Sequence, residues 1–202
     1  MTADRSYAAR VGSQTVDLPL VALSDDLTIA LLITVDHGIA FAETAGRELA
    51  DLMRPAAPDI VVSVATMGIP LAIEASRALG LDDYVILHKT PKIHLGETWV
   101  EPVYSITTDK PQRLRMDPAR VDAVRGRRVA VVDDVISTGA SLSSALRLVR
   151  RMEADPVVIG TLMTEGGAWK RALGEDAALV RTLGSMPLFH PDSTGGLVED
   201  WD

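Results

Sequence analysis

The 202-residue chain contains no cysteine. That absence excludes disulfides, thiolate metal sites and a cysteine nucleophile at once. Long apolar runs are missing too. No stretch approaches the roughly 20 consecutive apolar residues that a membrane-spanning helix needs, and Met1 to Val11 lacks the apolar centre of a secretory signal. Lysine is scarce, confined to Lys89, Lys92, Lys110 and Lys170. Positive charge is in deficit overall, with 20 Lys+Arg against 28 Asp+Glu and a formal net charge of -8. That balance argues against a surface that grips nucleic-acid phosphates, while leaving room for a local site for a small anion. Neither a G-x-G-x-x-G after a strand nor a G-K-[ST] phosphate loop occurs, and His37, His88, His94 and His190 are too scattered for a zinc site. No internal repeat or low-complexity tract breaks the chain. The expectation is one acidic, cytoplasmic domain over residues 1–202, with no nucleic-acid or membrane partner.

Apolar residues make up 47% of the chain and charged residues 24%, enough for a sizeable core. Asp26 to Val35 is mostly apolar and fits a helix or a buried strand equally. Ala42, Ala45, Leu49 and Leu52 fall on one stripe and predict a helix over Ile39 to Met53, ended by Pro55 and Pro58. Ile60 to Val64 is short, β-branched and apolar on both faces, as a buried parallel strand is. A helix follows from Pro70 to Gly80, then a strand from Tyr84 to Leu87. Lys89 to Glu101 reads as loop. Val103 to Thr107 and Arg113 to Met116 suggest a hairpin across Lys110-Pro111. Val129 to Val132 predicts a strand and Ala140 to Glu153 a helix with Leu142, Ala145, Leu146, Val149 and Met152 on one face. Strands over Val157 to Met163 and Ala178 to Leu183 complete the set, and Pro187 to Asp202 reads as irregular. Strands separated by helices imply an α/β fold with a mostly parallel sheet covered on both sides. Ligands then sit past the carboxyl ends of the strands.

One such end carries most of the chemistry: Val129-Ala-Val-Val-Asp133-Asp134-Val-Ile-Ser137-Thr138-Gly139-Ala140-Ser141. An apolar strand runs into two adjacent carboxylates and then into a small, hydroxyl-rich turn that opens a helix. Backbone N–H groups at a helix N-terminus, with the dipole behind them, favour a phosphate. Gly139 admits the anion without a Cβ in the way. The carboxylates upstream are acceptors suited to the hydroxyls of a sugar attached to that phosphate. A capping residue and a surface turn explain Ser137 or Thr138, but not two acids at the end of an apolar strand, which repel and lose hydration unless something binds them. The Mg²⁺-binding acid pair of a receiver domain has no phosphate-shaped turn directly after it.

Val129 to Ser141 resembles the signature of type I phosphoribosyltransferases, which bind phosphoribosyl pyrophosphate (PRPP). The resemblance extends to Val64-Ala65-Thr66-Met67-Gly68-Ile69-Pro70, which is similar to the pyrophosphate loop of the xanthine and adenine enzymes and of the purine-operon repressor. It implies the type I phosphoribosyltransferase fold, with a core over about 55–185, a flexible loop and a small hood built from the two chain ends. It also implies Asp133 and Asp134 on the ribose hydroxyls, Ser137, Thr138, Gly139, Ala140 and Ser141 around the 5-phosphate, and Val135 and Ile136 against the base. Ala65, Thr66, Met67 and Gly68 would face pyrophosphate with Lys89. Many relatives carry Lys or Arg where this chain has Met67, which leaves the loop without its own cation. Lys89-Thr-Pro-Lys92-Ile-His94-Leu-Gly-Glu97 is similar to the catalytic flexible loop of the family, the orotate enzymes included. By that resemblance Lys92 and His94 would act on the leaving group, where desolvated cations stabilise developing charge, and Glu97 would serve proton transfer.

Asp36, His37, Phe41, Trp169, Phe189 and His190 are the hood candidates, although a lone aromatic or histidine is usually an ordinary core or polar residue. Thr164-Glu165-Gly166 stands where relatives acting on 6-oxopurines tend to place a lysine; Glu165 there would accept from an amino group. Ser137 stands where the hypoxanthine-guanine branch carries Asp. The resemblance therefore implies transfer of 5-phosphoribose from PRPP to a purine-like base with release of pyrophosphate. Mg²⁺ would be the cofactor, held by Asp133 and Asp134 indirectly through PRPP, and the assembly would be a homodimer. A regulator that binds PRPP without turnover and an orotate transferase are the two rival expectations.

Overall fold

The computed structural model describes residues 5–90, 99–103 and 112–202. Its centre is a five-stranded parallel sheet in the order β10-β9-β8-β4-β5. The members are β4 (Ile60–Val64), β5 (Tyr84–Leu87), β8 (Arg128–Ile136), β9 (Asp155–Glu165) and β10 (Val180–Met186). All five residues of β4 are buried, as its uninterrupted apolar run predicts for a strand covered on both faces. Alternate side chains divide between two cores. Val62 and Val131 pack with Leu142, Leu146 and Val149 of α3 (Ala140–Arg151). Val61, Ala130 and Val132 pack with Leu49 and Met53 of α1 (Gly38–Met53) and Leu71 and Ala75 of α2 (Gly68–Leu79). This is the parallel, helix-covered arrangement that the sequence resemblance implies.

The helices follow their stripes with small shifts. In α1, Ala42, Ala45 and Leu49 are buried, but Met53 rather than Leu52 completes the stripe; Leu52 is exposed. Helix α2 begins two residues before Pro70, whose missing N–H costs nothing in the first turn. Gly80 ends it with φ 79°, a left-handed cap. Strand β8 continues through Asp133 and Asp134 as far as Ile136, so the acid pair lies within extended backbone rather than after it.

The largest corrections concern the chain ends. Asp26 to Val35 resolves into β3 (Leu27–Ala30) and the beginning of a short 3-10 turn, Thr34–His37. Pro187 to Asp202 is not irregular but holds β11 (Leu188–Pro191) and β12 (Leu197–Asp200). With β1 (Ser6–Val11) and β2 (Gln14–Ser24) these form a second sheet, ordered β1-β2-β3-β11-β12, that joins both ends of the chain. The expected hairpin exists with a shifted first arm: β6 (Trp99–Val103) pairs with β7 (Gln112–Met116). Residues Trp99 to Glu101 are thus strand rather than loop, while the remainder of the expected arm lies outside the described residues. Among the described residues, no helix is long and apolar enough to cross a membrane.

Candidate active site

A cavity of about 280 Å³ opens at the carboxyl ends of β4, β5 and β8. Its floor is the end of β8, where Asp133 and Asp134 stand half-buried side by side. The Asp134 N–H donates to Asp133 Oδ1 at 3.1 Å. Burial pushes the Asp133 carboxyl well above the ordinary aspartate range, and the neighbouring Asp134 pushes it further; Lys89 offsets part of this. Such a pair is costly to keep charged in the free protein, and a ligand offering hydroxyl hydrogens relieves the cost.

The far wall is the turn from Ser137 to Gly139 and the start of α3. Gly139 adopts φ 77°, which glycine alone adopts without strain. A Cβ there would also meet Ala172 Cβ at 3.1 Å and the Trp169 backbone at 3.3 Å, on the short helix α4 (Ala168–Leu173). The first turn of α3 contains no acid, so no internal carboxylate neutralises the positive end of its dipole.

The near wall is Ala65, Thr66 and Met67, between β4 and α2, with the exposed Lys89 after β5. Gly68 stands behind this wall. A Cβ on it would lie 2.4 Å from Ser63 Oγ and 3.2 Å from Asp133 Oδ1, so the loop reaches the acid pair only because that position has no side chain. Lys89 is the sole cation among the described lining residues.

The cavity thus unites Ala65, Thr66, Met67 and Lys89 with the whole run from Asp133 to Ser141, and Gly68 supports it. Other candidates stand elsewhere. Asp36 and His37 belong to the 3-10 turn before α1 and do not line the cavity; Asp36 is exposed, and the His37 ring rests 4.9 Å from that of Phe41. Phe41, Trp169 and Phe189 are buried core residues. His190 bonds the Asp26 carbonyl at 2.7 Å and Asp200 Oδ2 at 3.2 Å within the second sheet. Glu165, only 5% exposed at the end of β9, lies outside the lining. Lys92, His94 and Glu97 lie outside the described residues. Thr161 escapes a sequence reading: its Oγ1 lies 2.9 Å from the Asp134 carbonyl and 3.0 Å from the Met163 carbonyl, its two acceptors. The available signal is one hydroxyl inside the apolar run of β9, paired in register with Asp133.

Acid pair, hydroxyl turn and glycine-supported loop occur in one cavity, and residues 37–190 match the model of the phosphoribosyl transferase domain. The chain belongs to that family. It is 29% identical over 133 residues to the xanthine phosphoribosyltransferase of Laribacter hongkongensis (strain HLHK9), covering 65% of this chain and 64% of that one. It is 31% identical over 110 residues to the transcriptional regulator GfcR of Methanosarcina mazei, covering 54% and 47%. This phosphoribosyl transferase domain chain therefore spans less than two thirds of the length of either relative. In fold it is similar to the adenine phosphoribosyltransferase of Saccharomyces cerevisiae, with a TM-score of 0.66 at 20% identity, covering 82% of this chain and 93% of that one. That structure holds a bisphosphate imino-altritol compound and adenine.

Proposed function

We propose that the protein transfers 5-phosphoribose from PRPP to a purine-like base and releases pyrophosphate. One observation carries the reading: paired carboxylates and an acid-free helix N-terminus face the same cavity of about 280 Å³, a few residues apart on one strand-turn-helix unit. The carboxylates of Asp133 and Asp134 accept from the ribose 2- and 3-hydroxyls. Backbone amides and hydroxyls from Ser137 to Ser141 hold the 5-phosphate. Ala65, Thr66, Met67 and Lys89 face the pyrophosphate, and Val135 and Ile136 offer the base an apolar edge. In the reaction a base nitrogen bonds to C1 of the ribose, the bond from C1 to the pyrophosphate oxygen breaks, pyrophosphate leaves with the electron pair, and the proton shed by the base passes to Glu97 or to water. The chain's own contribution is to hold both reactants in line.

Among the described residues, no group of three or more His, Asp or Glu is placed to hold a metal ion. Asp133 and Asp134 would hold a Mg²⁺ indirectly, through the PRPP whose ribose hydroxyls they accept from, with substrate oxygens and water as its ligands. When bound, Mg²⁺ neutralises charge on the departing pyrophosphate. Lys92, His94 and Glu97 keep their proposed roles in leaving-group stabilisation and proton transfer. A homodimer is proposed as well; exposed Ile39 and Val35 beside α1 are consistent with a covered face.

The second reading, a PRPP-binding regulator, is favoured by the regulator relative in Methanosarcina mazei. Incubation with PRPP, Mg²⁺ and a panel of adenine, xanthine, guanine, hypoxanthine and orotate separates the readings. Pyrophosphate release with a purine supports the proposal. Release with orotate alone would move it to the pyrimidine branch. Tight PRPP binding without release for any base would contradict turnover.

A further inference from the structure

The two walls of the cavity belong to different parts of the fold, and the hairpin β6-β7 joins them. On the near wall, Lys89 directly follows His88. The His88 N–H donates to the Arg115 carbonyl on β7, and the Arg115 N–H donates back to the His88 carbonyl, both at 2.9 Å. The Ala65 N–H of the same wall donates to the Leu87 carbonyl at 2.8 Å, so the end of β5 carries both pieces. On the far wall, α3 begins at the turn of the binding motif. The hairpin bridges these parts: β7 meets β5, and both of its strands pack on α3.

Apolar contact alone lets such packing slide, because it has no direction. Val103 and Leu114 supply contact of that kind, in one cluster with Leu142 and Leu146 of α3. Glu101 supplies the direction. One of its carboxylate oxygens accepts from Arg147 and the other from Arg151, one helical turn apart. The same two guanidinium groups donate to the carbonyls on either side of Glu101, Arg151 to Val100 at 2.8 Å and Arg147 to Pro102 at 3.1 Å. Arg151 also lies over the Trp99 ring, 5.7 Å from its centroid. From this clamp to the cavity the path is short. Glu101 pairs in register with Leu114, the next residue is Arg115, and Arg115 bridges to His88 beside Lys89.

We infer that Glu101 is a positioning residue: through the hairpin it sets Lys89, at the pyrophosphate end of the cavity, relative to the phosphate-binding end of α3. The inference rests on the PRPP reading of the cavity.

The test compares two ligands on the full chain by calorimetric titration with Mg²⁺ present: PRPP, whose pyrophosphate meets Lys89, and ribose 5-phosphate, which lacks that group. Glu101→Ala should weaken PRPP about tenfold, the scale of one charge-assisted contact, and leave ribose 5-phosphate within about twofold of the parent. Glu101→Gln keeps one acceptor oxygen and should weaken PRPP by about threefold, again with little change for ribose 5-phosphate. Thermal melting shows which variants are folded, and the milder one decides if Glu101→Ala is not. Adding the folded Glu101 variant to Lys89→Met should cost PRPP less than about twofold more, since the lysine contact is already gone. A role in stability alone would not separate the two ligands. Equal losses for both, unchanged affinity for both, or losses that multiply with Lys89→Met would overturn the inference. If the parent itself bound neither ligand, the PRPP reading would fall instead, so the two failures are distinguishable.

Discussion

Asp133 is held at a cost in stability. Burial first, and Asp134 second, raise its pKa above the ordinary aspartate range. The folded protein therefore holds that proton more tightly than the unfolded chain does. The resulting stability is complete below the ordinary aspartate pKa and is lost as pH rises through the native titration. Asp133→Asn removes the buried charge. The free variant should be more stable than its parent at neutral pH, with a higher Tm. The advantage should shrink as pH falls. Differential scanning fluorimetry across a pH series checks both statements, and a variant less stable than its parent at neutral pH would contradict them. Gly68 belongs to the same economy of space, since the loop after β4 approaches Asp133 only for want of a Cβ.

Among the elements, the hairpin β6-β7 is tied to α3 by charge. Glu101, 9% exposed, accepts from Arg147 Nε at 2.7 Å and Arg151 Nη1 at 2.8 Å. Ser144 Oγ and Arg147 Nη2 both donate to the Pro102 carbonyl, at 2.9 Å and 3.1 Å. Ser144, Arg147 and Arg151 lie three and four residues apart, on one face of the helix. Burial pushes the Glu101 carboxyl up, but its bonds to and attraction by the two arginines outweigh burial and hold it below the usual glutamate range. Its contribution is therefore present above the ordinary glutamate pKa and is lost as pH falls through the native one. Glu101→Ala should cost about 2–3 kcal/mol at neutral pH, because it removes charged hydrogen bonds at a buried site. The deficit relative to the parent should narrow in acid. Urea unfolding at the two pH values measures it, and an equal deficit at both would refute the ion-pair account.

The same element shows where sequence reading fails. Trp99 to Glu101 looks like loop because the residue turned inward carries a charge, and its partners lie some 50 positions away. Strand β4 is legible because its burial is written into five consecutive residues. The binding motif is legible for a similar reason: acids, turn and helix start are contiguous, so local chemistry specifies most of the cavity. Thr161 is not legible in the same way, since only the β8–β9 register brings it beside Asp133.

At the scale of the molecule, the central sheet follows from alternating strand and helix signals, whereas the second sheet does not. Of the eleven residues of β2 only Leu18 is buried, so its apolar alternation is faint. Its sheet is completed by a pairing of Phe189 with Thr28, across nearly the whole chain. No local pattern encodes that contact. This sheet leaves the cavity to the parallel sheet, whose strands β4, β5 and β8 end at it.

The central claim is that this cavity clasps a pentose by its hydroxyls and a phosphate by the turn. Titration of ribose 5-phosphate into the protein and into the Asp133→Asn, Asp134→Asn double variant tests it most directly. Loss of two charged hydrogen-bond acceptors, at about 1.5–3 kcal/mol each, predicts an affinity at least about 100-fold lower in the double variant. Equal affinity in the two proteins would contradict the claim.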